Sequence, residues 1–184
     1  KKLISKSLED QSKSVVAKRI KRSEGFFFQS LYKIHKIITL IFTGKNINFG
    51  NYSCLLKKDI ILLAGKKSLW SSFSGTLKKY LISYNEVESE RGLRYFGPSK
   101  MSLFNLLIHS FSIIAVFKKE VFLRSLIFLI LLIILANYFG IFFIFLQFIL
   151  IIFNILIYLT SLRENEIDLQ NSDLNLKDIN IITN

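Results

Sequence analysis

Residues 125–162 read SLIFLILLIILANYFGIFFIFLQFILIIFNILIYLTSL and contain no charged side chain. Arg124 and Arg163 bound this run of 38 residues. A single α-helix of that length would measure about 57 Å, roughly twice the hydrocarbon thickness of a bilayer. Two crossings joined by a turn fit better. Asn137-Tyr138-Phe139-Gly140 is the only polar, helix-breaking cluster near the middle. It divides the run into spans at about 121–138 and 141–162. A buried hairpin inside a large soluble protein is a poorer reading, because stretches this long and apolar partition into membranes.

The flanks predict the topology. Lys118, Lys119 and Arg124 precede the first span, Arg163 follows the second, and the turn carries no charge. The positive-inside rule then puts both termini, and everything before residue 120, in the cytoplasm. The expected location is the cytoplasmic (inner) membrane, as a multi-pass protein.

Working outward, the chain has 184 residues, of which 51% are hydrophobic and 14% aromatic, with 18 Phe and 1 Pro. Mean hydropathy is +0.41, high for a soluble chain. That composition excludes collagen-like and Pro/Gly-rich disordered classes. A single Cys54 excludes an internal disulfide and a thiolate zinc cluster. Residues 1–120 hold 22 basic and 8 acidic groups, net +14, whereas residues 121–184 hold 3 and 5, net −2. A basic part beside an apolar part suits anionic headgroups or phosphorylated ligands. A/T-rich codon bias toward Lys, Ile, Asn and Phe is an equally weighted explanation of the basicity.

Residues 101–117 (MSLFNLLIHSFSIIAVF) place apolar groups at near-helical spacing and are followed by Lys118-Lys119. This predicts an amphipathic interfacial helix over 101–120, with an ordinary core-facing helix as the competing reading. Residues 26–43 predict another helix. Gln29, Lys33, His35 and Lys36 interrupt it, so a surface or core helix is favoured over a third span. Residues 51–64 predict a strand running into a short helix closed at Gly65, and 80–88 predict a strand. The polar tail, 163–184, is expected to be disordered.

Most catalytic templates are absent. His35 and His109 lie far apart in apolar segments, and there is no HExxH or glycine-rich phosphate loop. Both histidines read as packed or interfacial residues, and Cys54 reads as a small buried residue. Lys18-Arg19-Ile20-Lys21-Arg22 has the look of a nucleic-acid patch, but such runs are common and two spans make nucleic acid a poor partner. One constellation stands apart: Arg91-x-x-Arg94-x-x-Gly97-x-Ser99-Lys100. Two Arg three apart can present forks to one phosphate. Gly97-Pro98 makes a turn, and Ser99 and Lys100 add a hydroxyl and a point charge. The plainer reading is a basic loop that meets headgroups.

This loop, an amphipathic helix and a C-terminal hairpin together resemble the end of membrane-bound family 2 glycosyltransferases. Within that family the likeness is to polyprenyl-phosphate sugar transferases related to dolichyl-phosphate mannose synthase. Residues 14–19 (SVVAKR) followed by Arg22-Ser23-Glu24-Gly25 look like the family's strand ending in Arg and its basic loop. Residues 49–58 (FGNYSCLLKK) look like its Gly-Asp-Phe-Arg-Leu segment.

The resemblance implies an α/β fold. Residues 1–100 would be the C-terminal part of a nucleotide-diphospho-sugar transferase (GT-A type) domain, followed by the interfacial helix and the two-helix transmembrane hairpin. By resemblance, Lys1 falls just after an Asp-x-Asp segment, and the only Met is Met101. The chain is therefore expected to be the C-terminal half of a longer enzyme. The divalent metal (Mg or Mn) would be held by ligands outside this chain. Glu86, Glu88 and Glu90 are the only acidic candidates within it.

The implied reaction moves a sugar from a nucleotide-sugar donor to a membrane polyprenyl phosphate. By resemblance, Arg19 and Arg22 would face the acceptor phosphate, and Arg94, Ser99 and Lys100, helped by Arg91, would close over donor and acceptor. Many relatives carry Asp where this chain has Asn51. A neutral amide is no general base, so Asn51 is expected to position substrate. The expected partners are thus the donor, the lipid acceptor and the membrane, with homo-oligomerisation left open. The alternative is a non-enzymatic two-span protein whose basic region binds lipid or a partner.

Overall fold

The computed structural model describes residues 1–21, 25–90 and 102–171. Its elements run α1 (Lys2–Glu9), β1 (Val15–Lys21), α2 (Phe26–Thr43), β2 (Phe49–Cys54), α3 (Lys57–Ala64), a 3₁₀ turn (Lys67–Trp70), α4 (Phe73–Tyr80), β3 (Asn85–Glu90), α5 (Leu103–Ala115), α6 (Lys118–Phe139), α7 (Ile141–Ser161) and α8 (Glu166–Gln170). The class is mixed α/β, with a three-stranded sheet in the order β2-β1-β3.

β1 is central. The run VVAKRIK is β-branched and apolar at its start, which suits a strand paired on both edges. It pairs antiparallel with β2 and parallel with β3. Val16 faces Ser53 and Lys18 faces Phe49, so Gly50, Asn51 and Tyr52 bulge opposite Ala17 alone. Such bulges re-aim side chains at strand ends. On β3, Glu86, Glu88 and Glu90 are exposed while Val87 and Ser89 are half-buried, the period-2 alternation of a strand.

Two apolar cores result. Val16, Phe49, Leu63, Leu77 and Leu81 pack the sheet against α3 and α4. Ile47, Ile114, Ala115, Val116, Phe117, Val121 and Ile157 form the second core, at the base of the α6–α7 hairpin. Phe117 is fully buried there, and burying such a ring contributes about 1.5–3 kcal/mol. Phe42 of α2 joins this core, stacking against Phe128 and Phe153.

α6 and α7 have mean hydropathies of 2.3 and 2.7 and are long and apolar enough to cross a membrane. Only 11% of each apolar window is covered by the rest of the chain, unlike the core helix of a soluble protein. Gly140, with φ +81°, makes the turn between them, a conformation that suits glycine. The first turns of α6 are covered, since Val121 and Ser125 are buried. α2 is not a third such helix. It exposes Ile34, Ile37, Leu40 and Ile41, whose spacing forms an apolar stripe. α5 exposes Leu103, Phe104 and Leu107, so both helices offer apolar surface beside the hairpin.

Three expectations change. The strand predicted at 80–88 lies at Asn85–Glu90, because Tyr80 closes α4 instead. That helix is started by Ser72, whose hydroxyl accepts from the Gly75 amide. The tail expected to be disordered from 163 holds helix α8, and residues 172–184 lie outside the described ones. Cys54 is half-buried rather than buried, and its thiol is free.

Candidate functional site

β1 delivers Arg19 to the bulge. The Arg19 amide donates to the Asn48 carbonyl at 2.9 Å. Its guanidinium lies against Gly50, and a Cβ at that position would collide with it. Asn51 is the next residue along, exposed at the centre of the bulge. Of the residues expected to bind phosphate or position substrate, the fold therefore brings Arg19 and Asn51 to one strand crossing. Arg22, Arg91, Arg94, Ser99 and Lys100 lie outside the described residues.

α5 packs against α2, α4, α6 and α7. Its N-terminus is capped by Ser102, whose hydroxyl accepts from the Asn105 amide at 3.2 Å. Its C-terminal turns are clamped from two sides. α7 approaches through Phe111 and Phe153, and α4 approaches through Gly75. A Cβ on Gly75 would sit 3.0 Å from Val116 Cγ2 and 3.2 Å from the Ile113 carbonyl, so glycine permits the close approach. Lys79 of α4 adds a bond from its ammonium to the Val116 carbonyl. As a result Ser71 Oγ reaches the Ser112 carbonyl at 3.0 Å.

The chain leaving α7 then adds a cation. Arg163 Nη1 donates to Ser112 Oγ at 3.2 Å. Ser112 in turn donates to the Ile108 carbonyl at 2.9 Å. His109 stands on the same face. Partial burial holds its imidazole below the ordinary histidine range, and the positive charges of Arg19 and Arg163 push it the same way. His109 and Arg163 thus line one cavity, from α5 and the end of α7, although the sequence separates them widely. Asn105, Ser71 and Arg163 were not singled out as binding groups by the sequence. Only Arg163 carried a signal there, as a flank charge, and its spatial partners carried none.

Among the described residues the acidic side chains do not gather into a metal site. Glu86 pairs with Lys18 at 3.0 Å. Among the described residues no three His, Cys, Asp or Glu side chains gather to hold a metal ion. The cavity gathers one guanidinium group, an imidazole, hydroxyls and a side-chain amide at the end of the apolar hairpin. No family model, curated protein or solved structure matches the chain.

Proposed function

We propose that this chain is the membrane-anchored, acceptor-side part of a family 2 glycosyltransferase. The α6–α7 hairpin fixes it in the bilayer, and the basic part faces the cytoplasm. The sugar passes from a nucleotide-sugar donor to the phosphate of a membrane polyprenol. One observation carries the reading: Arg19 lies against Gly50 at the β2 bulge, beside the exposed Asn51. Cations placed there neutralise a lipid phosphate as it attacks. A phosphate acceptor is already anionic, so Asn51 needs only to orient substrate. Arg91, Arg94, Ser99 and Lys100, which precede α5 in the sequence, are proposed to supply the remaining phosphate contacts.

The test is sugar transfer by membranes carrying the product of the whole open reading frame. Radiolabelled nucleotide sugars should yield a label extractable with the polyprenyl phosphate, and Arg19→Ala should abolish it. Wild-type transfer by that variant would contradict the reading.

A second reading is a non-enzymatic two-span protein whose basic region binds lipid. The lack of an acidic cluster among the described residues favours it. The same assay separates the two, because this reading requires no transfer at all.

A further inference from the structure

An open cavity of about 510 Å³ lies beneath α5, lined by Ser71, Asn105, Ile108, His109, Ser112 and Arg163. That volume is within the roughly 300–1,000 Å³ of small-ligand clefts. Among the described residues the lining is polar and cationic apart from Ile108, and none of it is acidic. The carboxylates nearest in sequence to Arg163 are engaged elsewhere: Glu164 pairs with Lys118 at 3.0 Å, and Glu166 with Lys67 at 3.7 Å. Arg163 is held in place by the buried Ser112, so its planar fork is oriented before any ligand arrives.

The geometry points to this cavity as a binding site for the phosphate of a phosphorylated lipid. Arg163 is the anchoring cation, and Asn105 and His109 are the hydrogen-bonding walls. The lipid source follows from position. The cavity opens where α7 ends, and α5 exposes Leu103, Phe104 and Leu107 on the turns that also carry Asn105 and His109. One helix therefore meets both an acyl chain and its headgroup. The inference rests on the transferase reading only in calling the bound lipid an acceptor.

The experiment is native mass spectrometry of the full chain in phosphatidylcholine nanodiscs. The probes are a polyprenyl phosphate, the matching polyprenol and inorganic phosphate. The phosphorylated lipid should bind, and the alcohol should bind about tenfold or more weakly, the scale of one lost charge-assisted contact. Arg163→Gln should lose a similar factor and Arg163→Lys less. Asn105→Leu, at an exposed helix position that cannot threaten the fold, should also weaken binding. Equal binding of alcohol and phosphate, or full binding by both Arg163→Gln and Asn105→Leu, overturns the site. Saturation by inorganic phosphate as tight as by the lipid also overturns it, because the ligand would then be soluble. Lipid binding by this chain, with no sugar transfer in membranes carrying the product of the whole open reading frame, sinks the transferase reading and leaves this site standing. Transfer with unchanged binding in both variants does the reverse.

Discussion

Arg163 donates a hydrogen bond to Ser112 Oγ at 3.2 Å and so ties the chain leaving the hairpin to the buried face of α5. The same kind of tie recurs at the other helix of the hairpin. Arg124 Nη1 donates to the Ile41 carbonyl at 2.9 Å, at the C-terminal end of α2. Each arginine that bounds the charge-free run therefore locks the hairpin to the α/β part. An arginine at a helix C-terminus also complements the negative end of the macrodipole.

The Arg124 lock depends on Gly44. This residue closes α2 with φ +70°, and a Cβ there would lie 2.5 Å from Arg124 Nη2. Gly44→Ala both strains the backbone and displaces the guanidinium. It should destabilise the protein by about 1–3 kcal/mol, seen as a lower thermal midpoint in detergent. An unchanged midpoint would remove Gly44 from the account.

Gly50→Ala is a milder way to move Arg19 than deleting it. The new methyl collides with the guanidinium, so the side chain must leave the bulge while its charge persists. Polyprenyl-phosphate binding should fall in this variant nearly as far as in Arg19→Ala. Retained binding would show that position along the bulge is unimportant and that charge alone suffices.

The ion pairs divide by burial. Glu164 is only 6% exposed and faces Lys118, which is 34% exposed. Lys6 and Glu9 pair on the surface at 44% and 63% exposure. Lys118→Met leaves a buried carboxylate without its cation and should cost about 1–3 kcal/mol. Lys6→Met should leave stability almost unchanged, because an exposed pair contributes little. Denaturant midpoints for the two variants check this ordering, and equal losses would contradict it.

Stability should fall in two steps on acidification. The folded pKa of His109 is held below its ordinary value of 6.5 by burial and by Arg19 and Arg163. Between those values the unfolded chain binds a proton that the folded chain does not, so stability is lost as pH drops through that window. His109→Gln should flatten this step. Asp10 is lowered to about 2, chiefly by hydrogen bonds from Ser12 and then Asn85. Its contribution is complete above its unfolded value of 3.8 and disappears as pH falls toward 2. Asp10→Asn should remove the second step alone. Thermal midpoints from pH 8 to 2 read both steps.

The parts of the fold legible in sequence are those with local signals. The charge-free run encodes the hairpin, and α2 spans the residues 26–43 that periodicity picks out. β2 and α3 likewise follow the predicted strand-to-helix run. α4 was hidden because FSGTLKKY carries a glycine at mid-helix, an unfavourable local choice. That choice makes sense only once α5 is seen packed against Gly75. The site was legible in part for a similar reason. Arg19 and Asn51 stand in motif-like runs. Arg163 and His109 meet only because α6 and α7 go out and come back, a long-range contact that no spacing rule reads.

The most direct test concerns the hairpin, because every functional statement depends on its crossing the bilayer with the cationic cavity on the cytoplasmic side. Single cysteines at Tyr138 and Asn105, in a Cys54→Ser background, can be probed with a membrane-impermeant maleimide on intact cells and on inverted vesicles. The account predicts that position 138 labels only on intact cells and position 105 only on inverted vesicles. Labelling of both positions from the same face would contradict it.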